Sequence, residues 1–219
     1  MAKSFLVTRP KHDLNTFYLH SFLKETVKEI KDTDEIHLTD LEGPKATRIN
    51  LEKCVIKRKP GLIFLNGHGT KKEVAGHNDE TILNKQNIQL TQQKIVYALS
   101  CDSLADLGKI AIKKGTKAYI GYKAKFMIVH DPTRGGSPNK DKNAFPFKKA
   151  CSTLIHSLVF GTSVKTSVKR TKGEYIELIQ SYGTSEDDPY GDIPLIRFAL
   201  TWDYDSLGFE GDPNAVFSE

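Results

Sequence analysis

The chain has 219 residues, 38% of them hydrophobic, with 32 basic against 27 acidic side chains and a net charge of +5. One globular domain over 1–219 with a sizeable core fits those figures. The apolar runs fall far short of the roughly 18–20 residues of a membrane span, and the scattered lysines, without an aromatic-interleaved basic stripe, argue against nucleic-acid binding.

Taken in chain order, "MAKSFLVTRP" lacks the apolar core and small-residue cleavage site of a secretory leader. Within it "SFLVT" (4–8) reads as a buried strand, and Leu14 to Ile30 follows near helical spacing. "EIHLT" (35–39) alternates as a strand, while "GLIFLN" (61–66) and "KIVYALS" (94–100) are short continuous apolar runs. "SLADLGKIAIKKG" (103–115) has the pattern of an amphipathic helix closed by Gly115, with Asp102 or Ser103 placed to cap it. "KAYIGYKAKFMIV" (117–129) returns as strand. The segment 130–147, rich in Pro, Gly, Asn and Lys, reads as a long mobile loop of the kind used for lids and substrate walls. Helical signal resumes at 144–160 and 172–181. "IPLIRFALTWDY" (193–204) reads as a last strand before a Gly/Asp-rich tail. Strands alternating with helices, several of them apolar throughout, predict a mostly parallel sheet covered on both faces.

Three cysteines, Cys54, Cys101 and Cys151, with no C-x-x-C spacing, do not make a disulfide framework or a thiolate zinc site, and they set the expectation of a reducing, cytoplasmic location. Cys101 and His68 stand out for their places. His68, in "NGHGT", lies just past one apolar run, and Cys101, in "ALSCDS", just past another. In a parallel α/β sheet both fall at the carboxyl edge, where reactive groups collect. A helix starting directly after Cys101 would favour its thiolate. The N–H groups of Cys101 and Gly69 are natural oxyanion donors, so the two turns hold the parts of an acyl-transfer site. His68 and His77 have no third ligand at a usual metal spacing, and neither a metal nor a cofactor is expected.

An apolar strand ending in His-Gly, then an apolar strand ending in a small residue and Cys, resembles the caspase-like (clan CD) cysteine peptidases, among them caspases, metacaspases, legumain, gingipains, clostripain and the bacterial CHAT proteases. "FLNGHGT" carries the His-Gly motif and "VYALSCDS" the nucleophile strand; "KAYIGY" and "GFEGDPNA" look nearest the gingipain and CHAT branches. The resemblance implies a three-layer α/β/α sandwich, a protein or peptide substrate, Cys101 as nucleophile and His68 as general acid/base. It also implies activation by cleavage or by a partner protein, with Arg134, Lys140 and Lys142 as exposed self-cleavage candidates. Leu99 stands where animal caspases carry Gln and metacaspases Asp. Arg9, at the first strand's end, would suit an acidic substrate residue, and Asp102 or Asp131 a basic one. A catalytically silent caspase-fold adaptor and another cysteine acyl hydrolase are the alternatives.

Overall fold

The computed structural model describes residues 2–184 and 191–218. Six strands form the central sheet: β1 (Lys3–Arg9), β2 (Ile36–Glu42), β3 (Leu62–Asn66), β7 (Ile95–Leu99), β8 (Ala118–Tyr122) and β9 (Leu207–Gly211), in the order β2-β1-β3-β7-β8-β9. Every neighbouring pair is parallel except β8 with β9, which is antiparallel. Three short strands, β4 (Gly69–Thr70), β5 (Glu73–Ala75) and β6 (Thr81–Asn84), make a small antiparallel sheet inserted between β3 and β7.

The continuous apolar runs follow from burial on both faces. Along β3, Leu62 and Phe64 enter one hydrophobic cluster, whereas Ile63 and Leu65 enter the other; along β7, Ile95, Tyr97 and Leu99 alternate with Val96 and Ala98 in the same way. The first cluster is closed by α1 (Leu14–Phe22), α2 (Lys24–Lys31), α5 (Phe145–Val159), α6 (Val164–Ser181) and α7 (Ile193–Ser206). The second is closed by α3 (Arg48–Arg58), α4 (Leu107–Lys113) and the small sheet. The architecture is therefore a three-layer α/β/α sandwich around a mostly parallel sheet.

Four sequence expectations are corrected. Residues 193–204 are helix, not strand: Ile196, Ala199, Leu200 and Asp203 are buried at helical spacing while Leu195, Phe198 and Trp202 are exposed. The Gly/Asp-rich tail supplies β9, because β8 offers it an open edge from Ala118 to Tyr122. The strand expected over 117–129 stops at Tyr122. The helix expected at 103 begins at Leu107, after a series of turns, and its N-cap Asp106 makes no side-chain capping bond.

The 130–147 segment is also more structured than its composition suggests. Its last residues open α5, and Asp141, 3% exposed, accepts hydrogen bonds from the Tyr18 hydroxyl and the N–H groups of Asp131, Asn143 and Ala144. His130 stacks on the Tyr18 ring, so the loop is tied to α1.

Candidate active site

β3 and β7 are parallel neighbours with Asn66 opposite Leu99. His68 and Cys101 each lie two residues beyond that pair, so the two chains leave the sheet at the same level and at the same edge. Both line one cavity of about 260 Å³ with Asn15, Leu19, Gly67, Leu99, Ser100, Phe126, Met127 and Ile128.

Glycine is required at the first turn. Gly67 has φ +151°, and a Cβ there would sit 2.3 Å from the Ala75 carbonyl oxygen. At Gly69 a Cβ would lie 2.8 Å from the Cys101 carbonyl oxygen. The His68 turn and the Cys101 turn thus touch backbone to backbone, an approach that a larger residue would prevent.

His68 is held by a residue that the sequence motifs did not reveal. Its Nε2 lies 2.6 Å from Oδ2 of Asp13, 55 positions earlier, a short charge-assisted contact. Asp13 is the N-cap of α1, where its Oδ1 accepts the Thr16 N–H in a capping box. Burial raises the Asp13 pKa, but the hydrogen bonds from Thr16 and His68 outweigh it and bring the group down to about 2. Asp13 is therefore a fixed carboxylate, and it orients the imidazole by taking one ring nitrogen. Asp before an apolar-periodic stretch is a legible helix cap; its partner across the fold is not.

Cys101 sits in a different electrostatic setting from the one expected. Burial pushes its thiol pKa up and the charge of Asp102 adds to the rise, while a backbone hydrogen bond at Phe126 and the charge of Lys125 work the other way. α4 starts only at Leu107, so its N-terminus does not follow directly on Cys101 to offset that desolvation. The next residue, Asp102, has φ +56° and gives its N–H to the Ala124 carbonyl, which ties the Cys101 turn to the 124–128 wall. The wall is held from behind by α7: Asp203 accepts the Met127 N–H at 2.9 Å, and Trp202 donates to the Lys125 carbonyl.

Of the residues expected to touch substrate, Leu99 lines the cavity and Arg9, Asp102 and Asp131 do not. Arg9 is 4% exposed, with Nε and Nη2 on the two Asp40 carboxylate oxygens at 3.0 and 2.7 Å, and Glu42 3.4 Å away. Freeing it for a substrate would break a buried ion pair, which costs about 3–5 kcal/mol. Asp131 caps a short turn through Thr133. The sequence reading missed Asn15 and Leu19 on α1 and Phe126, Met127 and Ile128, because those stretches carry no motif.

No protein-family model and no curated protein matches the chain. Solved structures do. Gingipain R, an Arg-specific cysteine proteinase, superposes with a TM-score of 0.57 at 11% identity over 98% of this chain and 47% of its own. The complex of pro- and mature domains of that enzyme from Porphyromonas gingivalis gives 0.55 at 11% identity, covering 98% and 48%. The Saccharomyces cerevisiae separase–securin complex gives 0.55 at 14% identity, covering 96% and 12%. The fold is caspase-like. This chain spans about half the length of the gingipain structures and about an eighth of the separase chain. On this caspase-like scaffold a thiol, an imidazole and a carboxylate behind the imidazole share one sheet edge, which is the group set that acyl transfer uses. Among the described residues no helix is long and apolar enough to cross a membrane.

Proposed function

We propose that this chain is a cysteine endopeptidase that cuts after an uncharged, apolar side chain. The observation that carries the reading is the shared cavity of His68 and Cys101, with Asp13 bonded to the histidine. With Nε2–H given to Asp13, His68 has Nδ1 to take the Cys101 proton as Sγ attacks the scissile carbonyl. The N–H groups of Gly69 and Cys101 hold the oxyanion. Collapse of the tetrahedral species returns the proton from Nδ1 to the leaving amine and leaves a thioester, which water then hydrolyses by the same base.

The apolar preference comes from the lining. Leu19, Leu99, Phe126, Met127 and Ile128 line the cavity with the thiol, and among the described residues that line it His68 is the one ionisable side chain besides Cys101 itself. A charged substrate group entering there would lose its hydration against a mainly apolar lining. Such a pocket gives no reason for cutting at Arg134, Lys140 or Lys142, so self-activation at those positions does not follow. Three free cysteines fit a reducing compartment, which we take to be the cytoplasm. A protein partner is in keeping with the securin and pro-domain complexes of the structural neighbours.

A second reading, a module silent until a partner or substrate engages it, is favoured by the raised thiol pKa of Cys101. A positional-scanning peptide library with a Cys101→Ala control separates the two. Cleavage after Leu, Phe or Met that disappears in the variant is the expected result. Cleavage confined to Arg, Lys or Asp would overturn the pocket assignment, and wild-type protein inert toward the whole library would favour the silent module.

A further inference from the structure

Beside the cleft, His68 belongs to a second constellation. His12, Asp13, His68 and Asp79 each offer one ligand atom, and these four atoms all lie within 4.8 Å of one another. His12 Nε2 is 3.3 Å from Asp79 Oδ1 and 3.6 Å from Asp13 Oδ2, while His68 Nε2 is 2.6 Å from that same Asp13 oxygen. A tetrahedral zinc ion with bonds of about 2.0–2.1 Å holds its ligand atoms about 3.3 Å apart. Two of these three separations are therefore already near the edge length of a zinc tetrahedron, and the third needs only to open.

The four donors come from three separate places: the turn before α1, the His-Gly turn and the 76–80 turn. They converge although the chain has no motif that links them. Two imidazoles and two carboxylates are a borderline donor set suited to zinc; calcium and magnesium take more oxygens. Two carboxylates also match the dication in charge. Asp79 sits on an exposed turn with consecutive left-handed residues (Asn78, φ 53°, and Asp79, φ 57°), and its side chain is the most exposed of the four, so it can close onto an ion without disturbing the core. The His77 ring packs 5.2 Å from that of His12, and the Nδ1 atoms of both are buried without a partner among the described residues, leaving polar atoms at this position unsatisfied.

We propose that His12, Asp13, His68 and Asp79 form a zinc site that reversibly switches off the cleft by taking the base. Binding of zinc itself stands apart from the peptidase reading; the inhibition rests on it. In the free protein His68 carries its proton on Nε2, toward Asp13, and Nδ1 is the lone-pair nitrogen. Zinc takes the Nε2 lone pair, and the single remaining ring proton then resides on Nδ1. A neutral imidazole in that state has no nitrogen left to accept the Cys101 proton. Asp13 is drawn from orienting the histidine to ligating the ion.

Calorimetric titration of zinc chloride into the full chain tests the site. One zinc per chain is expected for wild type and equally for Cys101→Ala, because the thiol is not a ligand. His12→Gln and Asp79→Asn, each checked for folding by circular dichroism, lower the affinity by at least about tenfold, the scale on which even outer-shell partners act. Calcium and magnesium at the same concentrations give no heat. Absence of zinc binding by wild type, its loss in Cys101→Ala, or full affinity in both folded ligand variants would each overturn the site. For the switch, Asp79→Asn, which lies outside the cleft, cuts peptide at the wild-type rate and needs at least about ten times more zinc for half inhibition. A protein that cuts peptides and binds zinc here without losing activity refutes the switch but not the site. A protein that cuts nothing yet binds zinc through these residues refutes the peptidase reading and leaves the site standing.

Discussion

At the scale of single residues, the site turns on which group neutralises which. Arg9, the charge nearest the end of the first strand, is consumed by Asp40 and Glu42 within the fold. Asp13, an ordinary helix cap by sequence, does two jobs at once by holding the α1 N-terminus and His68. Substitution of Asp13 by Asn keeps a capping side chain but removes the charge that stabilises an imidazolium. The expected result is a fall in kcat on the order of 10²-fold with KM little changed. Stability gives an independent check. The folded pKa of Asp13, about 2, lies below the roughly 3.9 of an unfolded aspartate. Its stabilisation is therefore complete above about pH 4 and disappears as pH falls through 2. Thermal midpoints of Asp13→Asn should lie below wild type at pH 7 and converge with it toward pH 2. Parallel curves at a constant offset would mean that the carboxylate charge does not matter.

At the scale of elements, the strands that carry the site were legible and the helix that supports it was not. β3 and β7 are buried on both faces, so their apolar runs are unbroken and unambiguous, and their polar ends mark the sheet edge. "IPLIRFALTWDY" is just as apolar and rich in Ile, Phe, Trp and Tyr, which favours strand by composition. Its helical signal was the spacing of Ile196, Ala199, Leu200 and Asp203, diluted by exposed Leu195, Phe198 and Trp202. The error hid Asp203, whose place behind the Met127 wall depends on α7 being helical. Asp13 and the 126–128 wall were illegible for another reason: their partners are set by tertiary contact alone.

Asp203 yields the element-level prediction. Burial raises its pKa well above the usual carboxylate range, against the Met127 hydrogen bond, so the folded protein keeps it protonated. Its favourable contribution is whole below about pH 4, where an unfolded aspartate is also protonated, and declines as pH rises toward the folded pKa. Asp203→Asn retains an oxygen for the Met127 N–H and never ionises. The variant should gain stability over wild type between pH 4 and 8, read from urea midpoints across that range. Asp203→Leu should instead lose about 1–3 kcal/mol by stranding the Met127 N–H, with reduced cleavage as the wall loosens. Should Asp203→Asn be less stable than wild type at every pH, the residue is not buried as a neutral acid.

At the scale of the whole molecule, the C-terminal segment closes the sheet and the helical layer together. β9 pairs along β8 from Ala118 to Tyr122 and so covers what would otherwise be an unpaired edge. Beyond it, the Pro213 and Ala215 carbonyls accept the N–H groups of Lys165 and Val164 in the first turn of α6, whose N-cap Ser163 makes no side-chain capping bond to the backbone. Phe217, 1% exposed, then packs on Phe5 of β1. The two contributions come from separate contacts and are summed as independent. Ending the chain after Gly211 keeps β9 but removes the α6 cap, about 1 kcal/mol, and the Phe217 ring, about 3–5 kcal/mol. The sum, about 4–6 kcal/mol, is a large share of the roughly 5–15 kcal/mol typical of a domain. Urea denaturation should therefore show a folded but severely weakened protein. Ending the chain after Ser206 also opens the β8 edge, and size-exclusion chromatography should then show aggregate that the full chain does not form. A midpoint unchanged on truncation after Gly211 would mean that the last residues only drape over a sheet already closed without them.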